Sequence, residues 1–202
     1  MKKVLYKFIT VCLIAIFFTS KTSAQQKITL LNGKTIYPTS YSIGEMFVNY
    51  KLEGDNPKKL RLVDKFDVFS VTDSENKEKI LYKPVDSLDF SIEDARLYMD
   101  GENAARTYFN KPGVRISSAG VGLASGILSF YSLPIPFFYG IAITQRNPKK
   151  LQLPEELKSM ENNEAFRFGY NREARNIKMK QSLKYGYISL GVSIATLFLI
   201  VK

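Results

Sequence analysis

Histidine and tryptophan are absent from this 202-residue chain, and cysteine occurs once, at position 12. Without histidine the commonest general base and the commonest metal ligand are missing. Cys12 lies inside the apolar run of an N-terminal targeting segment and not at its cleavage site, so it is no lipid-attachment cysteine. Once that segment is removed, no disulfide, zinc-thiolate site or thiol nucleophile can form. The sequence therefore points to no catalytic residue, no cofactor and no metal site. No small-molecule substrate is identifiable, and the protein is expected not to be an enzyme.

The targeting segment is read from its order. Met1, Lys2, Lys3 and Lys7 precede an apolar run from Phe8 to Phe18, and Thr22-Ser23-Ala24 follows. A basic region, a short apolar core and small residues make a secretory signal peptide over 1–24, cleaved after Ala24; the alternative is an uncleaved signal anchor. Four of the 29 Lys and Arg residues belong to it, which leaves 25 basic against 19 acidic side chains, or +6. The excess is local. Residues 25–97 carry 11 basic and 12 acidic side chains, whereas 145–184 carry 10 and 5, so the charge concerns the surroundings of that one segment.

Residues 25–90 show short β-rich runs, "KITLL", "KTIY", "MFVNYKL", "LRLVDKFDVFSV" and "KILY", separated by turn-forming residues. Asn32-Gly33 predicts a tight type I′ hairpin. Phe47 and Asn49 alternate with Met46, Val48 and Tyr50, the period of a half-buried strand. About five strands predict a small antiparallel β roll or barrel. Ser74-Glu75-Asn76-Lys77 has S-x-x-K spacing, but the supporting S-D-N and K-T-G elements do not occur; a solvated hairpin turn is expected there. Asp64 and Asp67 read as strand-edge charges.

These runs follow the pattern I-x-L-x-N-G-x-x-I, V-x-Y-K, D-N-P, D-V-F-x-V and I-L-Y. Ile28, Leu30, Asn32, Gly33 and Ile36 carry the first part, then Val48, Tyr50 and Lys51, then Asp55, Asn56 and Pro57. Asp67, Val68, Phe69 and Val71, and finally Ile80, Leu81 and Tyr82, complete it. The segment resembles the β modules at the front of uncharacterised exported membrane proteins of Gram-negative bacteria. That resemblance implies a fold and an address, without an activity.

Beyond the β module, Ser91 with Glu93 and Asp94 starts a helical arm over 91–112. Ala95, Tyr98, Met99, Ala105, Tyr108 and Phe109 recur at helical spacing, and Asp100-Gly101 is either a break or a close packing contact. Residues 145–184 read as a basic amphipathic helical segment. Phe166, Gly169, Tyr170, Ala174 and Ile177 form its apolar face; Arg172, Arg175, Lys178, Lys180 and Lys184 form the other. The similarity of "GENAAR" at 101–106 to "GYNREAR" at 169–175 is weak, with spacings one residue apart. The glycine-alanine and G-Y-x-x-x-A-R arms resemble the rest of the same exported families.

Gly120, Gly122 and Gly126 approach a dinucleotide fingerprint, but no apolar strand precedes them and no acid follows about 20 residues on. A membrane reading accounts for more residues. Residues 116–144 carry no charge and would span about 44 Å as one helix, against a hydrocarbon core of about 30 Å. A single crossing kinked near Pro134 and Pro136 is expected. Residues 185–201 form a second uncharged apolar run. Small residues mark helix contacts in lipid: Ser118, Gly122 and Gly126 on the first segment, Gly191 and Ala195 on the second.

The fold class expected is thus α+β, a β roll or barrel followed by helical arms and a transmembrane helical hairpin. The expected address is the inner membrane of a Gram-negative bacterium, with the β domain periplasmic and the basic segment cytoplasmic by the positive-inside rule. Partners would be membrane lipids and proteins, or self-association through the small-residue faces. The basic residues would serve topology or lipid headgroups, and no nucleic acid is expected. Function then reads as a non-enzymatic membrane-anchored envelope protein with an exported β interaction module. The alternative is a small oligomeric pore or transport accessory.

Overall fold

The computed structural model describes residues 25–56, 59–86, 89–128, 130–148 and 150–200. The signal-peptide expectation over 1–24 falls outside them, as do Pro57 and the end of the second apolar run at Val201. The chain divides into two compact units. One comprises residues 25–29 with 35–81, the other residues 30–34 with 82–200.

The first unit contains strands β1 (Lys27–Leu30), β2 (Thr35–Ile36), β3 (Ser40–Ile43), β4 (Phe47–Lys51), β5 (Arg61–Asp64), β6 (Val68–Thr72) and β7 (Glu78–Ile80). They form an open four-stranded sheet in the order β2-β1-β6-β7 and a three-stranded sheet β3-β4-β5. No closed barrel occurs among the described residues. The reason lies in "LRLVDKFDVFSV", expected as a single strand. Asp64 accepts a hydrogen bond from the Phe66 N–H at 2.9 Å and caps a 3-10 turn at Lys65–Asp67. The run therefore gives one strand to each sheet. β3, "SYSI", lacks a long apolar stretch and was not anticipated; its antiparallel register sets Tyr41 opposite Tyr50.

Alternation decides the inner faces. Val48 is buried, while Phe47 beside it is exposed, as is Leu62, which pairs with Asn49 on the face of Phe47. β6 is buried on both faces from Val68 to Val71. The first hairpin departs from a type I′ turn: Gly33 has φ of 70°, but among the described residues Asn76 is the one non-glycine with positive φ. Leu30 and Lys34 close a three-residue loop, the form that needs one left-handed glycine. The Ser74–Lys77 stretch is an exposed turn between β6 and β7, held by Asp73 accepting from the N–H groups of Glu75 and Lys77.

Asp55 organises the loop between β4 and β5 through paired bonds to Arg61 at 2.8 and 3.0 Å and one from the Leu52 N–H. The Arg61 hydrogen bond, chiefly, holds its carboxyl at about 2. A depressed folded-state pKa stabilises above the unfolded carboxylate value and is lost as pH falls through the folded one. Carbon-detected NMR should therefore show Asp55 titrating near 2, with this loop loosening between about pH 4 and 2. A titration at the ordinary carboxylate value would mean the pair does not form.

In the second unit the Ser91 hydroxyl accepts from the Asp94 N–H at 3.1 Å and starts α1 (Ile92–Tyr108). The helix passes through Asp100-Gly101 unbroken. α2 (Pro112–Ile127) begins with proline in its first turn, where a missing N–H costs nothing. A short 3-10 turn at Phe130–Ser132 leads into α3 (Ile135–Thr144), and an extended stretch and a 3-10 segment (Glu155–Asn162) lead to α4 (Glu164–Ile200). The 145–184 region is thus not one helix. Its described residues before Glu155 are irregular, with Pro148 and Pro154 among them, and Asn163 caps the start of α4 by accepting from the Phe166 N–H at 3.0 Å. From there α4 continues without interruption into the second apolar run.

The core of this unit gathers Ala104, Ala105, Phe109, Phe166, Tyr170 and Ala174, with Leu151, Leu153, Leu157 and Met160 packed against it. A buried phenylalanine or leucine of this kind contributes about 1.5–3 kcal/mol. Residues 116–144 do not form one kinked helix. α2 ends at Ile127, and α3, which starts after Pro134 with Pro136 in its first turn, returns along α4. Contacts given below show that α2 runs in the same direction as α4, so the two expected spans do not make an antiparallel hairpin.

Candidate functional site

Two glycines set how closely α1 and α4 approach. A Cβ at Gly101 would overlap the Phe166 carbonyl and come within 2.9 Å of the Tyr170 nitrogen, and a Cβ at Gly169 would overlap the Tyr98 carbonyl. The glycines of "GENAAR" and "GYNREAR" thus stand against each other's helices. One helical turn on, charged residues join the same two helices. Glu102, only 2% exposed, accepts from the Tyr98 hydroxyl at 3.0 Å and pairs with Arg106 at 3.2 Å. Arg106 also reaches Glu173 at 3.2 Å, Asn103 at 2.8 Å and the Asn32 carbonyl.

Arg172 donates to the Tyr98 hydroxyl and lies 3.8 Å from Glu102. Burial pushes the Tyr98 hydroxyl above the ordinary tyrosine value, and the Arg172 hydrogen bond opposes that shift. Beside this network Phe90, Tyr98 and Phe168 pack with ring centroids 5.6 to 6.2 Å apart. They border an open groove that continues to Asp94 and Glu164. Every carboxylate of the network has a cationic or amide partner, so the arrangement is a clamp between helices.

Further along α4 the polarity is inverted. Its inner stripe is mostly small and polar, Ser182, Gly186, Ser189 and Ser193, with Leu190 buried among them. Ser118 meets Ser182 at 3.0 Å. A Cβ at Gly122 would overlap the Gly186 carbonyl and the Ser189 hydroxyl, and one at Gly126 would overlap the Ser193 side chain. Ser193 donates to the Leu123 carbonyl at 3.1 Å. On the other side, a Cβ at Gly186 would lie 3.0 Å from the Pro136 Cβ, and one at Gly140 3.0 Å from the Met179 sulfur. Large apolar side chains point outward, among them Ile116, Ile127, Phe138, Ile188, Val192 and Leu199. α4 is long and apolar enough to cross a membrane, and only 11% of its apolar window is buried within the protein.

Of the small residues singled out in the sequence, Ser118, Gly122 and Gly126 all face α4. Gly191 and Ala195 do not face α2. Both are exposed, and a Cβ at Gly191 would meet nothing within 4 Å. At 100° per residue Gly191 is rotated about 140° from Gly186, off the seam.

The five basic residues likewise do not share a face. Lys180 and Lys184 are exposed, the latter 6.0 Å from the Tyr185 ring, and Arg175 is half-buried. Arg172 belongs to the clamp. Lys178 is 1% exposed and donates to the Arg146 carbonyl just past α3, where a cation suits the negative end of the helix dipole. The residues that sequence reasoning missed, Glu102, Arg106 and Glu173, carried a signal in the i, i+4 spacing of Glu102 and Arg106.

Among the described residues, no group of three or more His, Cys, Asp or Glu side chains could hold a metal ion. No family model, curated protein or solved structure matches this chain.

Proposed function

We propose that this is a non-enzymatic, membrane-embedded protein of a Gram-negative cell envelope, in which α2, α3 and α4 anchor an exported β unit that binds other proteins. The supporting observation is the inverted polarity of the anchor: serines and glycines inside, isoleucine, leucine and phenylalanine outside. In water that arrangement would leave a broad set of large apolar side chains exposed, the kind of surface that marks a membrane or protein contact. In lipid, close packing of small residues is what holds helices together. On α2, Ser118, Gly122 and Gly126 face α4 and not a lumen, which favours an anchor.

The β unit shows the complementary feature. Phe47 and Leu62 share the outer face of the three-stranded sheet and are exposed, with Met46 and Phe66 exposed beside them. Such a patch on an exported module suits a protein partner.

Cell fractionation tests the anchor: the protein should stay in the membrane pellet after an alkaline carbonate wash and be released only by detergent. Recovery in the wash would end the membrane reading. A photoreactive amino acid at Leu62 should give discrete protein adducts in intact cells, absent when it replaces exposed Glu75; identical patterns would remove the interaction role.

A further inference from the structure

We infer that, in the membrane reading above on which this rests, α4 is the helix that crosses the bilayer, while α2 and α3 form a re-entrant hairpin that enters and leaves through one face. The direction of each helix follows from its neighbours. Ser118 meets Ser182, Gly122 meets Gly186, and Gly126 meets Leu190 and Ser193, so α2 advances in step with α4. α3 runs back: Pro136 lies against Gly186, Gly140 against Met179 and Ser182, and the Arg146 carbonyl on Lys178. Arg115, the last charged residue before the hairpin, is less than a turn before Ser118. Arg146, the first after it, ends beside Lys178. Both arms therefore start and finish at one level of α4.

Lengths agree with this. From Ser118 to Ile127 α2 advances about 14 Å, roughly half of a hydrocarbon core of about 30 Å, whereas α4 advances about 27 Å from Ser182 to Ile200. A chain reversal inside lipid must satisfy its own backbone, and the described residues at both ends of the turn supply internal partners. The Leu128 N–H bonds to the Ser125 carbonyl at 3.0 Å, and the Phe137 and Phe138 N–H groups share the Pro134 carbonyl at 3.1 Å. The Ser132 hydroxyl donates to the Ser125 carbonyl. Pro134 and Pro136 present no N–H at all. At the other end of α3, Lys178 serves the exposed carbonyl.

Residues 25–111 contain no uncharged run of crossing length. The hairpin consequently leaves the β unit, α1 and the 145–163 connection on one side of the membrane and the carboxyl end of α4 on the other. A single crossing by 116–144 puts the basic segment opposite the β unit, as the positive-inside rule prefers. The hairpin keeps that segment on the side of the β unit and so runs against the preference, and the labelling experiment decides between the two topologies.

The test uses the full chain with Cys12→Ala, carrying Tyr108→Cys or Lys150→Cys, both at exposed positions, and a peptide tag after the last residue. A membrane-impermeant maleimide is applied to spheroplasts and to inverted vesicles, and the tag is probed with protease. Labelling of positions 108 and 150 from the same side, with the tag cut only from the other, is the expected result. Labelling of 108 and 150 from opposite sides, or a tag on their side, overturns the hairpin while the protein remains in the membrane. Recovery of the protein in the soluble fraction instead overturns the membrane reading and the hairpin with it.

Discussion

Gly169→Ala is expected to destabilise the helical unit by about 3 kcal/mol or more, read as a lower unfolding midpoint of the detergent-solubilised protein by far-ultraviolet circular dichroism. Overpacking a close contact costs about 1–3 kcal/mol where side chains can adjust. Here the obstacle is the Tyr98 carbonyl, and its α-carbon would also lie 3.2 Å from the new methyl. Backbone cannot rotate aside, so the two helices must separate. Separation strains the Glu102 and Arg106 clamp one turn away. Gly191→Ala in the same helix is the control. With nothing within 4 Å of the added methyl, its midpoint should be unchanged or slightly higher, since alanine favours helix over glycine. Equal midpoints for the two variants would mean that the α1 to α4 approach does not exist.

Arg106→Ala should cost about 3 kcal/mol by the same measurement. Removing one partner of a buried ion pair costs about 3–5 kcal/mol, because the remaining charge is left uncompensated. The lower figure applies because the Arg106 side chain is 25% exposed and Arg172, 3.8 Å from Glu102, still compensates part of that charge. Arg106 is the member that touches both carboxylates, Glu102 from its own helix and Glu173 from α4. Adding Glu102→Gln and Glu173→Gln to Arg106→Ala removes the stranded charges and should restore more than half of the loss. A triple variant no more stable than the single one would show that Arg106 acts through packing of its stem. Arg106→Lys should rescue poorly, since one ammonium cannot serve acceptors that the guanidinium reaches in different directions.

Local features of this fold were legible from the sequence to the extent that they depend on neighbours along the chain. The Ser91 cap, the turn at Asp73–Lys77 and the face made by Ser118, Gly122 and Gly126 all follow from spacing alone. Partners across the fold were not legible. Helical periodicity states which side of α4 is small, but Ser182, Gly186 and Ser193 compete with Gly191 and Ala195, and only the position of α2 decides between them. Lys178 looked like a surface charge because its residue type usually is one; it lies on the stripe that continues from Ala174 to Ser182, and the end of α3 supplies its acceptor. The reversal at residues 128–134 was hidden for another reason. Two prolines in an uncharged stretch are compatible with a kink or with a turn, and the distinction rests on whether the following residues find room beside α4, which Gly186 opposite Pro136 and Gly140 opposite Met179 provide.

The order in which the helices appear during synthesis gives the α2 seam a further consequence. α2 and α3 leave the ribosome before α4, and chains build structure from the N-terminal side as they emerge. Until α4 follows, Ser118, Gly122 and Gly126 have no surface to meet. The early part of the chain therefore waits on the late part. Packing of α2 and α3 is then completed only on the arrival of α4.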